Sequence, residues 1–204
     1  MRSTCVVVVG LIAIGCHAAA PVTSTAPGGG PTAVRVTFTA QSDSFAAAVR
    51  DYQQLWAAEG TRMIATLEAG AGLRFVTPFY ADTAINVIVF EGVSQSGYRD
   101  EVPMMMRASY SPDTKKATLL HELGHRLMDG MFRRDEDPHA ALFLWLYDVW
   151  IAMYGQTFAD EQVAVEKRRG GPYPAAWDAA TRLSPEGRRS SWAAIVAQRP
   201  RGPR

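Results

Sequence analysis

Between residues 34 and 39 apolar and polar positions alternate. Val34, Val36 and Phe38 share one face and Arg35, Thr37 and Thr39 the other, the period of a half-buried strand. The period then lengthens to that of a helix, with Phe45, Ala48, Val49, Tyr52, Leu55 and Trp56 on one stripe. The stripe runs past Gly60 through Met63, Ile64 and Leu67 and predicts a stop at Gly70 or Gly72. Strands are predicted at residues 73–80, interrupted by Pro78, at 85–90, and at 102–110, where Pro103 favours a sheet edge.

From residue 111 onward the pattern is helical. A helix over 113–128 has Ser111 as N-cap, Pro112 at its first position, Asp113 in its first turn and Gly130 beyond its end. A second helix opens with Asp137 as N-cap and Pro138, and is apolar on nearly every side from 140 to 153, apart from Asp148. That length fits a buried central helix better than a membrane span. Three more helices are predicted: 157–169, stopped by Gly170, Gly171 and Pro172; 174–182; and 185–198, capped by Ser184.

The first of these helices carries His121, Glu122, Leu123, Gly124 and His125. Residues four apart lie on one helix face, so His121 and His125 aim two imidazoles at one point. Glu122 sits beside them, where it can take a proton from a metal-activated water. A largely apolar helix that retains three such groups needs a reason for them. The HExxH pattern resembles the signature of the zincin superfamily of zinc metallopeptidases, with two metal ligands and a general base. The resemblance spans residues 34–173 in outline and is carried by residues 121–125.

That resemblance implies an α+β fold. Its sheet is expected to be small, twisted and mostly antiparallel or mixed, backed by one helix, with the HExxH helix beneath and a helical C-terminal lobe after it. It also implies that the strand before the metal helix, Met104, Met105, Met106 and Arg107, lines the cleft and pairs with extended substrate. By themselves the three methionines are ordinary core filler.

Catalytic zinc takes three protein ligands and keeps one position open. Only three histidines fall within residues 34–198, and His139 is the third. Its place at a helix start, 14 residues after His125, resembles SprT-like zincins. The alternative third ligand is a carboxylate of the following helix, as in gluzincins. Glu166 suits that role better than Glu161, which the helix dipole explains. Asp148 is a further ligand candidate, but is expected rather to orient a ligand histidine or to cap a buried polar network. Tyr173, Tyr154, Tyr110 and Arg107 are all candidates for stabilising a transition-state oxyanion.

The N-terminus adds a different element. Arg2, an apolar run over residues 6–14 and then Gly15 and Cys16 read as an export signal, too short to span a bilayer. Ala13, Ile14, Gly15 and Cys16 resemble a bacterial lipobox, with Ala13 in place of the usual larger aliphatic residue. Lipidated Cys16 would then anchor the protein to a membrane of the cell envelope. The alternative is cleavage near Ala18–Ala20, leaving a soluble periplasmic or secreted protein. Residues 17–33, rich in Ala, Pro, Thr and Gly, form the tether.

Cys5 and Cys16 are the only cysteines, so no disulfide is expected in the folded region. Lys and Arg number 21 against 20 Asp and Glu, and loss of Arg2 leaves the two balanced. That balance argues against nucleic acid as a partner. The basic run at 199–204 reads as a solvated tail.

The domain plan is therefore a signal peptide over 1–15, a lipidated Cys16 and tether over 16–33, and one zincin-like domain over 34–198. Within that domain, 34–130 forms the N-terminal lobe and 131–198 the helical C-terminal lobe. The expected function is hydrolysis of peptide bonds in protein or peptide substrates. Zn2+ would be held by His121, His125 and His139, and Glu122 would act as general base. The alternative is a non-catalytic zincin-fold envelope lipoprotein that binds or assembles other molecules.

Overall fold

The structure is a computed structural model and describes residues 34–75, 84–97, 102–133 and 135–199. Cys16, the signal and tether, most of the strand expected over 73–80, and the tail beyond 199 lie outside the described residues. The chain is α+β. Strands β1 (Val36–Ala40), β2 (Ile85–Phe90) and β3 (Met104–Arg107) form one sheet, joined by helices α1 (Ala46–Ala71), α2 (Pro112–Leu127), α3 (His139–Tyr154), α4 (Gln156–Lys167), α5 (Tyr173–Arg182) and α6 (Pro185–Gln198). Among the described residues no helix is long and apolar enough to cross a membrane.

The sheet corrects the expected strand direction. Its order is β1-β2-β3, and both pairings are parallel, with Val36 opposite Ile85 and Val87 opposite Met104. The cause lies in the connections. The long α1 lies between β1 and β2 in the chain and supplies the kind of crossover that parallel neighbours need. After β2 the chain turns back along the far edge of β3, where Gln95 and Met105 exchange backbone hydrogen bonds of 2.9 and 2.8 Å, and only then enters β3. Among the described residues the antiparallel component is thus a single bridge. β3 is not the open cleft edge among the described residues, because the segment around Gln95 covers it.

α1 runs unbroken through Gly60 and ends at Ala71, where Gly72 takes the left-handed conformation with φ +62°. α2 starts as its signals predict: the Ser111 hydroxyl accepts a hydrogen bond from the Thr114 amide at 3.3 Å. Ten of the sixteen residues of α3 are buried. It packs against α1, α2, α4, α5 and α6, which explains an apolar surface on all sides. The Phe143 ring of α3 stacks on Trp177 of α5 at 3.9 Å between centroids, and Trp150 lies 5.2 Å from the same indole. This aromatic layer packs α5 against α3, and α4 against both, on the side of the α2 face that carries His121.

Candidate metal centre

His121 and His125 lie one turn apart on α2, with their Nε2 atoms 3.0 Å apart. His139, the first residue of α3, brings its ring to 5.4 Å from His121 and 4.9 Å from His125, centroid to centroid. The three offer ligand atoms that all lie within 4.8 Å of one another. The loop between α2 and α3 delivers His139 because Asp137 turns the chain. Its carboxylate accepts the His139 backbone N–H at 3.0 Å and engages ring Nδ1 at 2.5 Å.

The partners of the rings define which nitrogens are free. His121 Nδ1 donates to Glu166 Oε1 at 2.8 Å, and His139 Nδ1 donates to Asp137. A neutral imidazole that donates from Nδ1 presents a lone pair at Nε2. The Nε2 atoms of His121 and His125, 3.0 Å apart, need a proton or a cation between them. A set of three imidazole nitrogens with two tautomers fixed by carboxylates fits a borderline divalent metal.

Electrostatics follow from burial and from these pairs. Burial would push His121 down, but the charge and hydrogen bond of Glu166 outweigh it and hold His121 above the usual imidazole value. Burial would likewise raise Glu166. The charge and hydrogen bond of His121, then Arg169 and Trp177, keep it below the usual carboxylate value. Burial, with the neighbouring His121 and His139, drives His125 well down, and burial also lowers His139. Glu122 is 3 % exposed, and its burial raises it despite the attraction of His121 and Arg169. A carboxyl tuned upward in this way suits a group that must accept and return a proton.

Glu166 does not join the ligand nitrogens. It lies behind His121, with Oε1 on Nδ1 and Oε2 accepting from Trp177 Nε1 at 2.8 Å. Glu161 is exposed. Asp148 takes the second of its expected parts, capping a polar network: it holds the buried Arg188 at 2.5 and 3.1 Å. Of the oxyanion candidates, Tyr154 donates to Glu59, Arg107 pairs with Glu91 and Ser109, and Tyr110 lies against Arg169. Tyr173 alone among the four lines the cleft, its ring 4.4 Å from that of His139. Burial, moderated by Arg169, pushes its phenol up to about 12, so it remains a protonated donor.

The cleft has a volume of about 580 Å³. Its lining comes from Ser94–Gly97 and Val102 before β3, from Met128, Asp129, Gly130, Phe132, Arg133, Glu136 and Pro138 between the α2 and α3 histidines, and from the histidine cluster with Glu122 and Tyr173. Several participants carry no local sequence signal. Arg169 reads as a surface partner of Glu166, yet it sits 3.9 Å from that carboxylate beneath Tyr173, its guanidinium 5.5 Å from the ring centroid. Trp177 reads as plain core. Asp137 reads as a helix cap, and an acid two residues before a candidate ligand was the clue to its second contact. No family model, curated protein or solved structure matches this chain.

Proposed function

We propose that the chain is a zinc-dependent metallopeptidase of the zincin type. The observation that carries this reading is the meeting of three imidazoles beside a buried carboxylate at the floor of an open cleft. His121, His125 and His139 would hold the ion. Glu166 and Asp137 would keep two of those rings in the ligating tautomer. Zinc is the favoured metal because the donor set is all imidazole and needs no redox partner. The order strand, helix, strands, metal helix, with an antiparallel bridge on the outer edge of the sheet, supports the zincin assignment.

Zinc bound there would supply Lewis acidity to a water molecule and to the carbonyl under attack. Glu122 takes the proton of the attacking water and hands it to the leaving amine. Tyr173 donates a hydrogen bond to the oxygen that gains charge, and Arg169 holds the phenol in place. Substrate is protein or peptide laid along the cleft. A purely binding module has no use for a buried base with a raised pKa, which favours the enzyme over an envelope assembly factor. We place the protein at the cell envelope, anchored through Cys16; a Cys16→Ser protein should move from the membrane to the soluble exported fraction.

The decisive experiment compares wild type with Glu122→Gln. Wild type should hold about one zinc per chain and cleave labelled unfolded casein. It should lose that activity to a chelator and regain it with zinc. Glu122→Gln should keep the metal and lose about a hundredfold or more of the rate. Equal rates in the two proteins would sink the assignment.

A further inference from the structure

Arg126 follows directly after His125, yet it points away from the cluster and is 2 % exposed. Its Nε donates to the Ser96 carbonyl at 2.5 Å and its Nη2 to the Val102 carbonyl at 2.8 Å. Ser96 and Val102 both line the cleft. Gln95 is thus fastened to the sheet through Met105, and its neighbour Ser96, with Val102, is fastened to the metal helix through Arg126. Burying a guanidinium is expensive, and only well-aimed hydrogen bonds offset the cost. The planar fork reaches two carbonyls from one rigid group, which a lysine ammonium on a flexible stem does not match.

The wall held in this way exposes apolar surface. Val102 is 48 % exposed although it borders the cleft, and Arg126 fixes its carbonyl. A side chain of extended substrate crossing the cleft would bury Val102. Because His121, His125 and Arg126 share α2, the guanidinium sets the height of this wall over those two histidines.

We infer that Arg126 is a positioning residue for substrate: its fork on Ser96 and Val102 fixes the cleft wall against the metal helix and thereby sets affinity for extended, apolar-rich polypeptide. This rests on the metallopeptidase reading.

The test uses the full chain, zinc-loaded and carrying Glu122→Gln so that nothing is cleaved, with fluorescein-labelled unfolded casein as probe. Adding Arg126→Gln should weaken casein binding about tenfold or more. Arg126→Lys should recover part of that loss, and zinc affinity should stay within about twofold. In active protein the same change should appear mainly in KM rather than kcat. Val102→Ser should also weaken binding, and the double variant Val102→Ser/Arg126→Gln should lose less than the two losses combined, because one acts through the other. Casein binding that is unchanged in both Arg126 variants overturns the inference and leaves the peptidase reading standing. So does a loss that tracks loss of zinc or of folded protein in both. Failure of the Glu122→Gln parent to bind casein, together with an inactive wild type, overturns both.

Discussion

Oε1 of Glu166 lies 2.8 Å from Nδ1 of His121, and both side chains are shut away from solvent. The other oxygen of the same carboxylate is held by Trp177 at 2.8 Å, so the group has one orientation in which to serve the histidine. Glutamine at 166 would have to turn an N–H2 toward either the ring N–H or the indole N–H, donor against donor. Glu166→Gln should therefore lower zinc affinity about 10- to 100-fold and lower the melting temperature. His139→Ala, which removes a ligand outright, should cost more affinity and less stability. Titration of both variants against a competing chelator orders them. The reverse order would make Glu166 the third ligand and His139 its neighbour.

A second consequence concerns the phenol above the cluster. Tyr173→Phe removes one hydroxyl from a ring that otherwise keeps its contacts with His139 and Phe143. Folding and zinc content should be unchanged, while kcat falls about a hundredfold and KM stays near its wild-type value, the pattern of a donor used only in the transition state. A variant that raises KM and spares kcat would assign Tyr173 to substrate binding instead.

The shifted histidines fix how metal affinity depends on pH. Without metal, His121 holds its proton above the usual imidazole value of 6.5, chiefly because Glu166 overcomes the effect of burial. His125 and His139 lose theirs below that value. Zinc must then displace a proton from His121 alone near neutrality. Affinity should rise with pH with a slope of about one proton per ion and level off once the raised His121 value is passed. In Glu166→Gln the cause of the raised value is gone, and the levelling should move to lower pH. Chelator competition over a pH series reads both slopes. A pH-independent affinity in wild type from 6 upward, on the order of the range in which imidazoles ordinarily titrate, would contradict the assigned protonation states.

Much of this was legible because it is local. The caps of α2 and α6, the stop at Gly72 and the pairing of His121 with His125 each depend on residues within a few positions of one another. Strand direction was not legible, since neither the parallel register of β2 with β3 nor the bridge of Gln95 to Met105 is marked by an alternating pattern. Nor was the support behind the ligands. Glu166 is 45 residues from His121 and meets it through the packing of α4 on α2 and α3, with Trp177 of α5 holding its other oxygen. On its own helix Glu166 looks like one acid among several charges. Asp148 was the more conspicuous choice, a lone acid in an apolar helix, but its reason for being there is the buried Arg188 of α6.

Gly124, the fourth residue of the motif, is where the two helices that carry the three histidines meet. A β-carbon placed there would lie 2.8 Å from Leu142 Cδ1 and 3.0 Å from the Trp145 ring, closer than packed atoms tolerate. Leu142 is one turn from His139 on α3, so a shift of α3 that relieves this contact would also move the proposed third ligand. Gly124→Ala should gain about 1 kcal/mol of helix propensity. It should lose about 1–3 kcal/mol through overpacking, for a net loss of stability together with weaker zinc binding. Shortening the opposing side chain separates the two effects. In Gly124→Ala/Leu142→Ala the added methyl fits the space that Leu142 vacated, so the double variant should bind zinc more tightly than Gly124→Ala alone. Thermal melts and chelator titrations of the two single variants and the double decide the matter. A Gly124→Ala protein that melts higher than wild type and keeps full affinity would show that α3 positions His139 independently of its contact with α2.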